Sequence, residues 1–237
     1  MKKDYKILKS QKTKLGNTIE LISPSLFTLH SALIIGVFHG DEPQGKYLIE
    51  DYLNKYISSS SESCKPAEDT VCSYTGLNAG EAISRSGTLF IPCLNPDGLQ
   101  LGQRTNANGV DLNRNFPAKN WKLTEKNEFF GGESPASEIE TQFLVDIIEE
   151  YEPELILTLH APFKVVNYDG PAKEISEKIS EIIHYPVEGN IGYPTPGSFG
   201  TYAGIERQIP TITLELDETC PVKDLIKPVH KIFDLLA

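Results

Sequence analysis

Short apolar runs alternate with amphipathic stretches along most of this chain. The apolar runs have the length of buried strands and cover residues 5–9, 18–22, 31–38, 88–94, 154–159 and 211–216. The amphipathic stretches repeat their apolar residues at helical spacing and cover residues 44–56, 137–151, 172–183 and 222–236. Strands that alternate with helices predict an α/β protein whose sheet is covered by helices on both faces.

Turn and cap residues separate several of these elements. Residues 15–17 and 95–98 are rich in Asn, Gly or Pro and predict turns. Ser137 and Glu140 have the spacing of a helix capping box. Residues 57–70 are rich in serine and acidic side chains and predict a surface loop. Because the chain shows neither a domain linker nor an internal repeat, we interpret residues 1–237 as a single domain.

Polar residues stand at the ends of three predicted strands. His39 directly follows the run 31–38, and Glu42 comes three residues later. His160 follows the run 154–159, and Glu215 lies near the end of the run 211–216. Ligands of open α/β sheets bind at the carboxyl edge of the strands, so these four side chains are expected to share one site.

The residue types at this edge are those of a zinc centre. A catalytic Zn²⁺ takes three His or carboxylate ligands and keeps one position for water, which makes His39, Glu42 and His160 candidate ligands. The His-x-x-Glu spacing is short and common, and a helix-start carboxylate beside a strand-end histidine would also produce it. The agreement with His160 and Glu215 favours the metal centre. A carboxylate inside a buried strand is costly unless compensated, so we interpret Glu215 as the base that acts on a zinc-bound water.

Residues 104–117 place two arginines and several asparagines in one loop. A guanidinium group binds a carboxylate through two parallel hydrogen bonds, so Arg104 and Arg114 suit an anion site. A plain loop with solvated arginines is the other interpretation, because Asn and Gly also form turns.

Charge and composition narrow the choice of partner and compartment. The net charge is −11 and the isoelectric point about 5.0, which argues against nucleic acid or an anionic membrane as the main partner. No stretch approaches the roughly 18 apolar residues of a membrane span, and the N-terminus lacks the apolar segment of a signal peptide, which predicts a cytoplasmic protein. Cys64 and Cys72 would pair in an oxidising compartment, but reduced thiols are expected in the cytosol. The oligomeric state is left open.

Several motifs, in this order, resemble those of the zinc metallocarboxypeptidase family. They are His39-Gly-Asp-Glu42, Asn95-Pro-Asp-Gly98, Arg104, Asn108-Gly-Val-Asp-Leu-Asn-Arg-Asn-Phe-Pro117, His160 and Thr213-Leu-Glu215. The match runs from residue 32 to residue 216, and the string 108–117 is highly specific. The resemblance implies a single-domain, mixed and mostly parallel sheet. It also implies one Zn²⁺ per chain, bound by His39, Glu42 and His160.

The resemblance implies roles for the other candidate residues as well. Arg104 would polarise the scissile carbonyl and stabilise the oxyanion. Asn113 and Arg114 would hold the carboxylate of the residue that is released. Glu215 would be the catalytic base, and Tyr193 would close over the bound substrate.

Within the family, residues 99–104 and 192–200 are similar to the bacterial murein peptide amidases. This similarity implies cytoplasmic hydrolysis of the γ-D-glutamyl–meso-diaminopimelate bond of murein tripeptide during peptidoglycan recycling, with a small peptide as the partner. An ordinary zinc carboxypeptidase that removes C-terminal residues is the alternative with the same chemistry. An aspartoacylase-like deacylase shares the His-x-x-Glu pair, but the Asn-Pro-Asp-Gly turn and the strand context of Glu215 favour the carboxypeptidase side. A non-catalytic binding protein would be expected to lack a ligand or the base.

Overall fold

The structure of the protein is a computed structural model. It describes residues 5–24, 32–62, 87–189 and 195–237, and only the backbone of residues 56–62. Tyr193, Cys64 and Cys72 lie outside the described residues, as do residues 63–70 of the predicted loop.

Within the described residues, eight strands form one mixed sheet. They are β1 (Lys6–Lys12), β2 (Thr18–Ser23), β3 (Ala32–Gly36), β4 (Thr88–Ile91), β5 (Leu155–His160), β6 (Val165–Asp169), β7 (Val187–Glu188) and β8 (Thr211–Glu215). Their order in space is β1-β2-β4-β3-β5-β8-β6-β7. The central run β4-β3-β5-β8 is parallel, as is the pair β6–β7, while β1–β2, β2–β4 and β6–β8 are antiparallel. The predicted mixed, mostly parallel α/β sheet is therefore confirmed.

Helices cover both faces of this sheet. They are α1 (Gln44–Glu62), α2 (Pro96–Leu101), α3 (Ile139–Tyr151), α4 (Lys173–Ile183) and α5 (Val222–Leu236). On one face, α1, α4 and α5 bury residues such as Leu48, Ile179 and Val229 against the strands. On the other face, α3 does so with Leu144 and Ile147. Among the helices in the described part of the chain, none combines the length and hydropathy that crossing a bilayer requires.

Three local predictions were wrong. Residues 95–98 do not form an isolated turn, because helix α2 begins at Pro96, a residue that suits the first helical position. The Asn95 side chain accepts from the backbone N–H of Gly98 and caps this helix. There is no capping box at α3: Glu138 and not Ser137 is the N-cap residue, and Ser137 Oγ donates to Glu138 Oε1 instead of accepting from a helix backbone N–H. Residues 57–62 of the predicted loop continue α1.

The carboxyl ends of β3, β5 and β8 lie side by side. The register pairs Gly36 with Leu159 across β3 and β5, and His160 with Glu215 across β5 and β8. Strand β3 is shorter than predicted because Val37 has a φ of 54°, which turns the chain out of the sheet two residues before His39. The fold therefore brings the predicted polar residues to one edge.

Candidate metal centre and substrate cleft

Three buried side chains converge at the carboxyl edge of the sheet. Glu42 Oε1 lies 2.7 Å from His39 Nδ1, and Glu42 Oε2 lies 3.1 Å from His160 Nδ1. The two Nδ1 atoms are 3.3 Å apart. One ligand atom from each of the three residues lies within 4.8 Å of the others, so His39, Glu42 and His160 form a group that could hold a metal ion.

Local backbone contacts fix the position of this group. A Cβ at Gly40 would lie 2.0 Å from the backbone carbon of Gly98, so only glycine lets the His39 loop approach α2 this closely. Asn95 Nδ2 donates to Phe38 O over 3.2 Å and lies 3.3 Å from Arg104 O, which ties the same loop to the next one. His160 ends β5, and its ring packs against Phe38 at a centroid distance of 5.1 Å.

The group fits a zinc ion in chemistry and in size. A tetrahedral Zn²⁺ with bonds of about 2.0–2.1 Å separates its ligand atoms by about 3.3 Å, close to the observed spacing of the two imidazole nitrogens. Both histidines turn Nδ1 toward the centre, which leaves the Nε2 of His39 3.3 Å from Asp111 Oδ1. A carboxylate behind a histidine ligand fixes its tautomer and orientation, which is the arrangement expected around a bound metal.

The electrostatics of the site are those of a cation-binding centre. Burial lowers the pKa of His39, but the close carboxylates of Asp111 and Glu42 outweigh it and raise the pKa to about 9. Burial raises the pKa of Glu42, but the contacts with His160 and His39 outweigh it and lower the pKa to about 2. These shifts favour a protonated His39 beside an ionised Glu42, and a divalent cation would take the place of the proton on His39.

Arg104 lies beside this centre and is fixed by Asp111. Its Nε and Nη2 atoms donate to Asp111 Oδ2 at 3.1 Å and 2.9 Å, a side-on contact through two nitrogens. Its Nη1 atom is 3.7 Å from Glu42 Oε1 and 3.3 Å from His39 Nδ1. The guanidinium plane also lies 5.2 Å from the Phe129 ring centroid. Arg104 therefore places a fixed positive charge within reach of anything bound at the metal position.

A 3₁₀ turn over Leu112–Arg114 presents the second arginine. Asp111 caps this turn by accepting from Asn113 N at 2.9 Å. Asn113 Oδ1 accepts from Phe199 N at 2.9 Å, and Arg114 Nη1 donates to Asn113 O at 2.7 Å. Arg114 is 7% exposed yet lines the cleft, so its remaining donors can bind a carboxylate there.

Glu215 is a half-buried carboxylate, one oxygen of which has no hydrogen-bond partner within the described residues. It ends β8 next to His160, and its Oε2 atom has no hydrogen bond within the described residues. Burial raises its pKa, His160 lowers it and Glu42 raises it, so the pKa lies above the usual range. A carboxylate with a raised pKa can take up and return a proton near neutral pH.

A single cleft of about 620 Å³ joins these groups. All the described residues that the sequence singled out line it, namely His39, Glu42, Arg104, Asn113, Arg114, His160 and Glu215. Its size is that of a site for a small ligand.

No role in the site was predicted for Asp111 or for Asn95, although Asn95 was placed in a predicted turn. Both stand inside strings that were noticed, but Asp111 proves to contact His39, Arg104 and the Asn113 backbone, and Asn95 proves to tie two loops together. The only signal available was that a buried Asp or Asn must find partners. Which partners it finds depends on contacts between distant segments.

Comparison with known proteins identifies the family. Residues 28–181 match the family model described as zinc carboxypeptidase, and the chain belongs to this family. Among curated relatives, murein peptide amidase A from Escherichia coli (strain K12) is 41% identical over 122 residues, which cover 46% of this chain and 50% of the relative. Murein peptide amidase A from Vibrio campbellii is 37% identical over 138 residues, covering 52% of this chain and 54% of the relative. The match thus spans about half the length of these relatives.

Solved structures agree with this assignment. The crystal structure of a murein-tripeptide amidase from Escherichia coli O157 matches 100% of this chain and 92% of its own with a TM-score of 0.72 and 26% identity. Carboxypeptidase A from Helicoverpa armigera matches 98% of this chain and 66% of its own with a TM-score of 0.70 and 17% identity, a likeness of fold alone.

Proposed function

We propose that this chain is a zinc-dependent amidohydrolase that cleaves the γ-D-glutamyl–meso-diaminopimelate bond of murein tripeptide. The observation that carries the proposal is the convergence of a His-Glu-His group, two arginines and the half-buried carboxylate of Glu215 on one cleft. The choice of substrate is supported by the relatives named murein peptide amidase A and murein-tripeptide amidase.

In this proposal His39, Glu42 and His160 hold one zinc ion. When bound, zinc supplies Lewis acidity and lowers the pKa of a water molecule, which makes that water a nucleophile near neutral pH. Asp111 keeps the Nδ1 atom of His39 turned toward the metal by binding the opposite side of the ring.

The remaining residues act on the substrate. Glu215 takes a proton from the attacking water as the C–O bond forms, and then passes it to the nitrogen of the leaving diaminopimelate as the amide C–N bond breaks. Arg104 stabilises the negative charge that develops on the carbonyl oxygen. Asn113 and Arg114 bind the α-carboxylate beside the leaving nitrogen, and Tyr193 is proposed to cover the substrate. The products are L-Ala-D-Glu and free diaminopimelate.

The direct test offers the zinc-loaded chain three kinds of substrate and follows the products by chromatography. We expect L-Ala-γ-D-Glu-meso-diaminopimelate to be cut faster than α-linked L-tripeptides and faster than an N-acylated aspartate. Faster release of C-terminal residues from α-linked peptides would make the chain an ordinary carboxypeptidase. Preferred hydrolysis of the acylated aspartate would make it a deacylase.

The control for this test is Glu215→Gln, which keeps the shape of the side chain and removes its basicity. We expect the variant to retain zinc and to lose about 10²–10⁴-fold in kcat. A variant with near-normal kcat would remove Glu215 from the mechanism. A cytoplasmic site of action belongs to the same proposal and is tested by cell fractionation.

A further inference from the structure

The same cleft contains a carboxylate that the proposed reaction does not use. Asp169 is the last residue of β6 and lines the cavity together with Asn167, which lies on the same face of the strand. In the antiparallel pairing of β6 with β8, Val165 is opposite Glu215 and Asp169 is opposite Thr211. Asp169 therefore lies four residues along β6 from Val165, the residue opposite Glu215. These two backbone positions are about 13 Å apart.

The part of the chain that the structure describes offers this carboxylate no charge partner. Within the described residues we find no hydrogen bond and no ion pair to the Asp169 side chain. Burial raises its pKa to about 6, and no basic group among the described residues offsets the effect. An uncompensated, half-buried carboxylate is costly to the folded protein, and a cationic ligand would reduce that cost.

Two glycines hold the side chain in its place. Gly200 and Gly204 are one turn apart in the π-helical segment Gly200–Glu206. A Cβ at Gly200 would lie 2.0 Å from Asp169 Oδ2, and a Cβ at Gly204 would lie 2.4 Å from Asp169 Cβ. Because these positions lack a side chain, the helix closes one side of the carboxylate while its other side remains on the cavity. Single-turn π-helical segments occur frequently at functional sites.

We propose that the carboxylate of Asp169 binds the side-chain ammonium group of the residue that is released, and so selects diamino acids. The inference rests on the proposed function, because it assumes that the released residue extends from the metal centre along β6. Seven bonds separate the scissile carbonyl carbon from the far amine of diaminopimelate, roughly 9 Å when extended with bonds of about 1.5 Å. This chain of roughly 9 Å, together with the side chains of Glu215 and Asp169, spans the distance of about 13 Å along β6.

Other acids at the cleft are less suited to this role. Glu128 and Glu218 also line it, but both are exposed, so water and salt screen their charge. Glu218 therefore provides a matched control: it lines the same cavity, and we expect its charge to contribute little to selectivity.

The experiment compares released residues that differ in the far amine. Two substrate series are prepared, γ-D-glutamyl and α-linked, each with lysine and with norleucine as the released residue, and meso-diaminopimelate is added to the γ-linked series. For each series that the wild-type enzyme cleaves, we expect kcat/KM for the substrate that releases lysine to be higher by about 10-fold or more than kcat/KM for the substrate that releases norleucine. Asp169→Asn should abolish this ratio and leave the norleucine rate near its original value. Glu218→Gln should keep the ratio.

The two proposals fail separately in this design. Cleavage of the α-linked series alone would reject the γ-glutamyl substrate and still test Asp169 through the lysine-to-norleucine ratio. A wild type without preference for lysine would overturn the role of Asp169 whether or not the variant folds. An equal loss with lysine and norleucine in Asp169→Asn would make the residue structural. If neither series is cut, calorimetric binding of free lysine against norleucine decides, and equal affinities would overturn the role.

Discussion

At the scale of single residues, Asp111 organises the site. It is fully buried, and its two oxygens contact the ring of His39, the guanidinium of Arg104 and the backbone of Asn113. The contacts with His39 and the nearby arginines lower its pKa far below its usual range despite the opposing effect of burial. The carboxylate is therefore ionised near neutral pH and orients both a metal ligand and Arg104.

Asp111→Asn should weaken zinc binding because the amide cannot replace the carboxylate behind His39. Losses of such partners typically cost about 10–100-fold in metal affinity. Competition against a chelator measures the affinity, and Asp41→Asn, which changes an exposed acid near the same loop, is the control. Unchanged affinity in Asp111→Asn would show that Asp111 does not support the metal site.

The two arginines should differ in their kinetic effects. Arg114→Ala should chiefly raise KM for substrates with a carboxylate beside the cleaved amide, because that charge is present in the ground state. Arg104→Ala should chiefly lower kcat, because its partner charge develops only in the transition state. Steady-state kinetics of both variants measure this, and the same pattern in both would contradict the separate roles.

At the scale of elements, the sequence predicts a strand or helix well where the pattern depends only on the residues of that element. The apolar runs located β3, β5 and β8 within a few residues, and with them the edge that carries His39, His160 and Glu215. Strand β6 was not predicted, because Asn167, Tyr168 and Asp169 break its apolar pattern at the cleft. Strand β7 has only two residues, too few for any periodicity. The contacts of Asp111 and Asn95 join distant loops, which no local pattern encodes.

Among the residues that connect elements, Asn95 has the clearest expected effect on stability. Its side chain caps α2 and ties the His39 loop to Arg104, so Asn95→Ala removes a cap and leaves buried backbone groups unpaired. We expect the free energy of unfolding to fall by about 1–3 kcal/mol. Denaturant titration measures it, with Gln142→Ala as an exposed control expected to change it by about 0.5 kcal/mol or less. Equal stability of the two variants would contradict this account of Asn95.

At the scale of the whole molecule, one sheet connects β1 near the beginning of the chain to β8 near its end, with a buried layer on each face. We therefore predict that the chain unfolds as a single domain in one cooperative transition. Trp121, the only tryptophan, donates to Gly131 O beside the cleft and reports on the loops, whereas far-ultraviolet circular dichroism reports on helices and strands. Coincident denaturation curves are expected, and two separate midpoints would divide the chain into more than one domain.

In the proposed mechanism, three residues of one sheet edge hold the zinc ion on which cleavage of the murein tripeptide depends. The most direct test of this mechanism adds Zn²⁺ stepwise to the metal-free chain and records bound zinc and diaminopimelate release together. We predict that both rise in proportion and reach a plateau at one zinc per chain, and that His160→Ala shows neither rise. Diaminopimelate release that is complete before zinc is added, or a wild-type chain that binds only a small fraction of an equivalent, would contradict the account.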